Sequence, residues 1–487
     1  MAKQKKFRMI DAILTVICVV FVAEAAAPAA AIGNPQFFWW IFLIITFLLP
    51  YGLIVCELGT TYADDAGGIA DWVRRAFGDK WGSRVSWYYW INFPLWMASL
   101  AFLFPETIAL LSGVELGVGA QVAIELAFVW IVVLMSFSKV SDSAWILNGG
   151  AVLKVLIAVA VGGLGIYHAM TSGFAGDMSP ATFLPSFDAS ALTYLSIILF
   201  NFMGFEAIAV FAGDMENPKR QIPTAIIAGG LTIAAIYLFS SFGIGAAIPA
   251  SEISLDSGIM DAVAIMAGNG SLLFVIIAVV FLITLFSNMI SWSFGVNYVA
   301  AHSAEKANLP RAFARMSKNG VPTGAAVING VIASVLVLVS PVMSAVGLDG
   351  FFWIFFSMNI VFLLICYIPM FPAFLKLREV DPDAKRIFRV PGGKAFATVA
   401  AWVPVAMLVL AMIATVVPLN GSEEELSKIP MLVGVVVFAV VGEVVRVVSA
   451  RRRTAEYRGM ADDGDPEAWD AARGLAAGEI EGVRAVS

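Results

Sequence analysis

A glutamate in the middle of a membrane-length apolar segment constrains this chain more than any other feature. Glu206 follows Gly204 closely, inside the apolar segment at about 189–212. An ionisable side chain in hydrocarbon is costly, and a helix can open there only where something other than lipid satisfies its backbone. Glu24 interrupts the first apolar segment in the same way, just before Pro28. Two interrupted helices at corresponding places in two halves indicate the binding site of a transporter.

The apolar segments predict an all-α membrane protein. Hydrophobic residues make up 60% of the 487 residues and charged residues 14%, which excludes an ordinary soluble protein. Each predicted span is long enough to cross roughly 30 Å of hydrocarbon. We predict twelve transmembrane helices, at about 9–32, 37–61, 84–113, 119–138, 144–170, 189–212, 222–248, 268–302, 323–346, 350–376, 395–418 and 429–450.

The distribution of basic residues predicts the orientation of these spans. Lys and Arg are concentrated at the start of the chain and after every second span, whereas the opposite loops carry only Lys428. Basic loops face the cytoplasm. We therefore expect a multi-pass protein of the bacterial inner (cytoplasmic) membrane with both termini in the cytoplasm.

The spacing of the two interrupted spans predicts an internal repeat. Spans 1–5 and spans 6–10 each begin with an interrupted helix, and five crossings leave the second group inverted relative to the first. We assign residues 1–450 to a transmembrane transporter domain. Its first repeat covers about 9–170, its second about 189–376, and two further helices about 395–450; residues 451–487 form a cytoplasmic tail.

The loop after the second span predicts a short surface helix. One face carries the apolar residues at helical spacing, and the opposite face carries the charged ones. The apolar residues are Ile69, Trp72, Val73, Ala76 and Phe77, and the charged ones are Asp71, Arg74 and Arg75. We expect Glu57, just before this loop, to have a structural role. Two other glutamates within spans, Glu106 and Glu125, are expected to face protein or water rather than lipid.

Several motifs carry a family resemblance: Gly204-Phe205-Glu206 with 216–223, Cys56-Glu57-Leu58 with 67–73, Ser291-Trp292 with 308–322, and 389–394. On these residues the chain resembles the amino acid–polyamine–organocation superfamily of transporters and, within it, the bacterial glutamate:GABA antiporter family. The resemblance covers most of the chain. It implies a LeuT-type fold of five plus five helices with helices 1 and 6 broken, alternating access, and exchange or proton-coupled uptake of amino acids or amines.

The first break departs from the pattern of amino acid carriers. Those relatives have a glycine-rich break whose free N–H groups bind a carboxylate, whereas here the break is Ala23, Glu24, Ala25 and Ala26. We expect the N–H groups of residues 25–27 to point into the site. Glu24 should attract an ammonium group and repel a carboxylate. The glutamate exchangers also carry an acidic residue where this chain has Asn288, so we expect a neutral or cationic substrate.

The resemblance implies roles for further residues. Phe200 and Trp292 match positions where relatives place aromatic rings against the substrate, and Asn92, Trp96 and Asn288 are expected in the same cavity beside Gly204. Lys154 is the only basic residue deep inside a predicted span. In sodium-independent relatives a lysine here takes the place of a sodium ion, so we predict that Lys154 and Glu206 serve coupling or proton transfer.

Three functions remain open at this point. The first is exchange of an amino acid or its derived amine; the second is proton-coupled symport of amines, polyamines or amino acids; the third is a membrane sensor on a transporter fold. The sequence has no phosphate-binding loop and no nucleophile–base constellation, so we expect no enzyme, cofactor or metal site. The expected partners are the small substrate, protons and the lipid bilayer, without nucleic acid, and both monomer and dimer stay open.

Overall fold

The computed structural model describes residues 8–62, 67–138, 144–185, 187, 189–206, 208, 215–254, 258–345, 347 and 350–462. Within these ranges the regular secondary structure is helical, which confirms the predicted all-α class. Helices are the expected outcome because a helix satisfies its own backbone N–H and C=O groups where lipid cannot.

The first half of the chain contains eight helices in the described ranges. They are α1 (Met9–Val20), α2 (Ala26–Ala30), α3 (Gln36–Leu43), α4 (Leu49–Thr61), α5 (Ile69–Phe77), α6 (Asp79–Ser112), α7 (Val118–Met135) and α8 (Ala144–Ser172). A π-helical turn at Ile44–Leu48 joins α3 and α4 into one span.

The second half continues with α9 (Ala189–Phe200), α10 (Pro218–Ala247), α11 (Gly258–Ala267), α12 (Leu272–Glu305), α13 (Thr323–Ser344), α14 (Phe351–Tyr367), α15 (Met370–Val380), α16 (Gly393–Val416), α17 (Glu423–Leu426) and α18 (Ile429–Asp462). The last helix extends beyond residue 450, where the sequence predicts the end of the membrane span. It therefore includes the three arginines at 451–453.

The described residues contain ten helices long and apolar enough to cross a membrane. An eleventh span results when the bent pair α1 and α2 is counted as one crossing. The remaining predicted span, 189–212, begins as α9, and most of its part after Glu206 lies outside the described residues. The broken first span is visible directly: Met9–Val20 and Ala23–Ala30 are bent by 56° at the break.

The predicted surface helix is confirmed as α5. Ile69, Trp72 and Val73 are buried and Arg75 is exposed, as the periodicity predicts. The prediction is wrong for Asp71, which is buried because His302 and Lys306 bind it, and for Phe77, which is exposed. The helix packs against α6 and α15. We use α5 to label the two ends of the bundle: the α5 end, which the sequence predicts to be cytoplasmic, and the opposite end.

Helices α8 and α10 approach each other through small residues. A Cβ added at Gly165 would lie 2.1 Å from the carbonyl oxygen of Gly243, and one added at Gly243 would lie 2.4 Å from the carbonyl oxygen of Gly162. Only glycine permits this backbone contact, which is the usual way in which helices pack closely in lipid. The contact fixes α8, and with it Lys154, relative to the first break.

We therefore expect Gly165→Ala to separate α8 from α10. Overpacking of this kind costs roughly 1–3 kcal/mol, so the melting temperature of the purified protein should fall. Gly163→Ala is the matched control on the same helix, because a Cβ there meets nothing within 4 Å. Equal melting temperatures for the two variants would contradict the close-packing interpretation.

Candidate substrate-binding site

The break in the first span leaves backbone groups without helical partners. Phe21 and Val22 are extended, with φ −75° and ψ 125° at Phe21 and φ −124° and ψ 118° at Val22. The last carbonyls of α1 therefore need donors from elsewhere. Side chains of α8, α10 and α12 supply hydrogen bonds at this break.

Lys154 of α8 provides the largest share of these donors. Its ammonium Nζ donates to the carbonyl oxygens of Cys18 at 2.5 Å and Phe21 at 2.6 Å, and to Oδ1 of Asn288 at 2.6 Å. Lys154 is 1% exposed. An ammonium group has three N–H donors, and all three are used here. The lysine thus joins α8, α12 and the break through one buried positive charge.

Two further side chains complete the partners of the break. The indole Nε1 of Trp292 donates to the carbonyl oxygen of Val19 at 2.6 Å. The hydroxyl of Tyr237 on α10 accepts from the Val22 N–H at 2.8 Å and lies 3.1 Å from the Val22 carbonyl oxygen, to which it donates. Trp292 therefore has a polar contact with α1 in addition to its ring surface, a role that the sequence did not indicate.

The residues after the break form a 3₁₀ turn at Ala23–Ala25. The N–H of Ala25 donates to the Val22 carbonyl oxygen at 3.3 Å, and the N–H of Ala26 donates to the Ala23 carbonyl oxygen. The expectation that these N–H groups point freely into the site is therefore wrong for Ala25 and Ala26. A 3₁₀ turn forms hydrogen bonds between residues three apart, which occupies them.

Glu24 is the ionisable group of this turn. Its side chain is buried, with 5% of the residue exposed, and Oε1 accepts no hydrogen bond from any described residue. The Lys154 ammonium and the Trp96 indole lie within electrostatic reach of its carboxyl group. A narrow cleft lined by Glu24, Thr107 and Ile259 leads away from it. Glu24 thus has unused acceptor capacity next to the break.

The second break begins where α9 ends at Phe200. Gly204 has φ +103°, a backbone conformation that favours glycine, and its N–H donates to the Tyr367 hydroxyl at 3.0 Å. A Cβ at this position would lie 3.1 Å from the Trp292 ring. Gly204 therefore permits both the turn and the close approach of the tryptophan.

Three tyrosine hydroxyls surround Glu206. Tyr51 of α4 donates to Oε2 at 2.7 Å, Tyr367 of α14 donates to the same oxygen, and Tyr89 of α6 donates to Oε1 at 3.0 Å. Tyr367 also accepts the Gly204 N–H, so it connects the carboxyl group to the break. Both oxygens of Glu206 are satisfied, in contrast to Glu24.

Four aromatic rings pack between the two breaks. The centroids of Trp96 and Phe200, of Trp96 and Trp292, and of Phe200 and Phe356 are each 5.4 Å apart, all in edge-to-face arrangements. The sequence indicated three of these residues; Phe356 of α14 was missed because an aromatic residue in an apolar span is ordinarily packing.

Some polar side-chain atoms near the breaks have hydrogen-bond partners, and others have none among the described residues. Asn92 donates from Nδ2 to the Tyr89 carbonyl oxygen of its own helix at 2.5 Å, and its Oδ1 has no hydrogen-bond partner among the described residues. The side-chain polar atoms of Asn201, Ser357 and Asn359 are also buried without partners in the described ranges. The sequence did not single out these three as site residues, although a polar residue in an apolar span is a usable signal.

Two ion-pair networks lie at the α5 end of the bundle. Glu57 accepts from the Arg378 guanidinium at 2.8 and 2.5 Å and from the Val390 N–H at 2.6 Å. Asp71 of α5 contacts His302 of α12 at 2.9 Å and accepts from Lys306 at 2.9 Å.

The Asp71 network stabilises its carboxylate strongly. Burial by itself would raise the pKa of Asp71, but the hydrogen bonds from His302 and Lys306 outweigh it and hold this pKa well below its usual range. The carboxylate therefore remains ionised over the physiological pH range and ties α5 to the end of α12.

We expect Lys154→Met to impair both stability and transport. The methionine keeps an apolar side chain but leaves the Cys18 and Phe21 carbonyls without their donor, which costs about 1–3 kcal/mol for a buried polar group. The measurements are the melting temperature of the purified protein and substrate uptake in proteoliposomes, where transport should be lost.

Lys428→Met is the matched control for this variant. Lys428 is also buried and donates to Glu425 at 2.7 Å and to the Ala414 carbonyl oxygen at 2.9 Å, away from both breaks. We expect it to lower stability and retain transport. Unchanged uptake in Lys154→Met would show that these hydrogen bonds of the lysine are not needed for transport.

Comparison with known proteins agrees with this architecture. Residues 7–441 match the model of a family described as "Amino acid permease". A solved structure, that of MhsT in complex with L-phenylalanine, superposes with a TM-score of 0.58 at 17% identity, covering 85% of this chain and 100% of that one. At this identity the likeness shows the fold, and it confirms the predicted LeuT-type architecture.

Two curated relatives are similar over most of their length. A protein of Lactococcus lactis subsp. lactis named "Probable agmatine/putrescine antiporter AguD" is 50% identical over 445 residues, which are 91% of this chain and 95% of the relative. A glutamate/gamma-aminobutyrate antiporter of the same organism is 24% identical over 88% of this chain and 89% of the relative. The relatives are named as transporters, which confirms the prediction of a carrier rather than an enzyme. The chain is thus a multi-pass membrane transporter that belongs to the amino acid permease family of the amino acid–polyamine–organocation superfamily.

Proposed function

We propose that this protein is an antiporter that exchanges agmatine for putrescine across the bacterial cytoplasmic membrane. The observation that carries the proposal is the 50% identity, over 95% of its length, to the relative named as a probable agmatine/putrescine antiporter. Both molecules carry amine groups that are protonated at neutral pH, and neither has a carboxylate. They match the neutral or cationic substrate that the sequence predicts.

The charges at the first break favour such a substrate. Glu24 is buried with one oxygen unpartnered among the described residues, so it is available to accept from an ammonium or guanidinium group. The nearby positive charge of Lys154 is already engaged by two carbonyl oxygens and Asn288. A substrate carboxylate would face Glu24 without a free cationic partner, which is unfavourable in a poorly solvated site.

The aromatic rings suit the same chemistry. Cations are attracted to the faces of Trp, Tyr and Phe rings, and desolvation strengthens this attraction. Trp96, Phe200, Trp292 and Phe356 are buried between the breaks. We propose that the substrate binds among these rings with one cationic group on Glu24, and that Asn92, Asn201 and Asn288 line the same cavity beside Ala23–Ala26 and Gly204.

Alternating access would use the two breaks as hinges. We propose that both termini and the α5 end face the cytoplasm and that the two five-helix repeats, about 9–170 and 189–376, are inverted. Opening toward the cytoplasm would then require rearrangement of the Glu57 and Asp71 networks. Lys154 and Glu206 would act as positioning residues, since each binds the backbone or side chains that define a break.

Proton-coupled amine symport is the second candidate. The observation that favours it is a pair of buried carboxyl groups, Glu24 and Glu206, at the two breaks. A symporter responds to a pH gradient without substrate on the opposite side, whereas an exchanger requires substrate on both sides. One assay therefore separates the two mechanisms.

The decisive measurement is counterflow in proteoliposomes. Vesicles loaded with putrescine should take up labelled agmatine, and empty vesicles with an imposed pH gradient should not. Glutamate and GABA should fail to compete.

Glu24→Gln should weaken apparent putrescine affinity by about tenfold, because a charge-assisted hydrogen bond to the amine is lost. Glu252→Gln, at an exposed glutamate of the turn Ala250–Glu252, is the control.

If empty vesicles took up agmatine driven only by the pH gradient, the mechanism would be symport and not exchange. Counterflow of glutamate, insensitive to Glu24→Gln, would refute the amine assignment. Binding without any flux would favour the sensor on a transporter fold.

We also expect Trp292→Phe to slow exchange while the protein stays folded. Phenylalanine keeps an aromatic ring but leaves the Val19 carbonyl oxygen without the indole donor, so kcat/KM should fall about fivefold, the equivalent of one net hydrogen bond. Trp292→Ala and Phe200→Ala remove the rings and should abolish exchange.

Trp90→Phe is the control for the indole. The Trp90 Nε1 has no hydrogen-bond partner among the described residues, and its ring packs against Phe313. Exchange should be unchanged in that variant. If Trp292→Phe also behaved like the wild type, the hydrogen bond to Val19 would be irrelevant to transport.

A further inference from the structure

A cavity lies at the end of the bundle opposite α5. It encloses about 460 Å³ between α6, α7, α13 and α14. Its lining residues on α6 lie in the last turns of a helix whose first residue, Asp79, follows α5 almost directly. The cavity is therefore separated from the α5 end by most of the length of α6, and it faces the predicted outer side.

Carboxyl groups and aromatic rings line this cavity. Glu106 and Glu115 are exposed at its rim, Glu125 is buried within it, and Phe102 and Phe351 contribute ring surface. The residues that line it include no lysine, arginine or histidine. The cavity thus combines negative charge with aromatic surface.

Glu125 is the group that points to a ligand. It is 4% exposed, and its Oε2 has no hydrogen-bond partner among the described residues. A buried polar atom without a partner is costly, and an ionised one much more so. Neighbouring Val118, Gln121 and Val122 lie on the same face of α7 toward the cavity, so the carboxyl group borders a space that a cation can enter.

We propose that this cavity is a second amine-binding site, in which an alkylammonium group binds to Glu125. An ammonium group supplies the donors that the Glu125 carboxylate lacks, and the rings of Phe102 and Phe351 suit a cation. The volume falls within the range of about 300–1,000 Å³ that is usual for small-ligand pockets. A diamine can place its second ammonium group toward the exposed carboxylates of the rim.

The position of Glu106 connects this cavity with the first break. Glu106 also lines the narrow cleft at Glu24, together with Thr107 and Ile259. The cleft encloses only about 10 Å³, room for about one water. The two sites are therefore separate in this structure.

Thiol labelling tests occupancy of the cavity directly. Val118 lines it and is 58% exposed, while Cys18, Cys56 and Cys366 are buried, so Val118→Cys introduces an accessible thiol. A cationic methanethiosulfonate should label this thiol faster than an anionic one, after correction for their rates with a free thiol. Putrescine should slow the labelling.

Two additional substitutions test whether the protection by putrescine depends on Glu125. Adding Glu125→Gln should raise the putrescine concentration needed for half protection by about tenfold, the loss of one charge-assisted hydrogen bond. Adding Glu423→Gln, an exposed carboxylate outside the lining, should leave it unchanged. Absence of protection, or equal protection with and without Glu125, would overturn the proposal.

Transport provides the second measurement. In Glu125→Gln the half-saturation concentration for putrescine on the predicted outer side should rise about tenfold, while the maximal exchange rate and the melting temperature stay unchanged. A lower melting temperature together with a lower maximal rate, at unchanged half-saturation, would mean a structural role and overturn the proposal.

The relation of this site to transport depends on the proposed function, but the labelling result does not. Protection that depends on Glu125 in a protein without amine exchange would support the cavity and reject the exchange. Amine exchange without any protection would support the exchange and reject the cavity.

Discussion

Backbone hydrogen bonding in hydrocarbon is the constraint on which the rest of this structure depends. A helix that opens inside the bilayer exposes carbonyl and N–H groups that lipid cannot satisfy. Here the partners come from distant parts of the chain: Lys154, Tyr237 and Trp292 bind the first break, and Tyr367 binds the second. The close packing of α8 on α10 is one consequence, because Lys154 and Tyr237 must reach the same short segment.

The two buried glutamates at the breaks have different surroundings, so they differ in their capacity to accept hydrogen bonds from a ligand. Glu206 receives hydroxyl groups from Tyr51, Tyr89 and Tyr367, which leaves little capacity for a ligand. Glu24 has an oxygen without a partner among the described residues. A satisfied buried carboxyl group organises its neighbours, whereas an unsatisfied one gains most from a ligand. This difference is the physical basis for the proposal that Glu24 binds the substrate and that Glu206 holds the second break.

The sequence was informative where a residue contradicted its apolar surroundings. Glu24, Lys154 and Glu206 could be selected because ionisable groups in long spans are rare, and α5 could be predicted from its helical periodicity. The tyrosines around Glu206 could not be predicted, because tyrosine is common in membrane spans and these residues are far from Glu206 in the sequence. Tyr367, for example, is 161 residues away. The 3₁₀ turn that occupies the Ala25 and Ala26 N–H groups is likewise a matter of local geometry that composition does not determine.

The proposed preference for amines over acids rests on how the positive charge of Lys154 is used. Its partners are two carbonyl dipoles and an amide oxygen, none of which carries a full negative charge. Lys154 is therefore held in place by neutral groups, and the Glu24 carboxylate is not tied to it by a direct hydrogen bond. A cationic substrate supplies the charge and the donors that Glu24 lacks, whereas an acidic one adds a second negative group that no described side chain at the break is free to balance. On the proposed function, this fold therefore forms a cation-binding site through Glu24 and through the engagement of Lys154 by neutral groups.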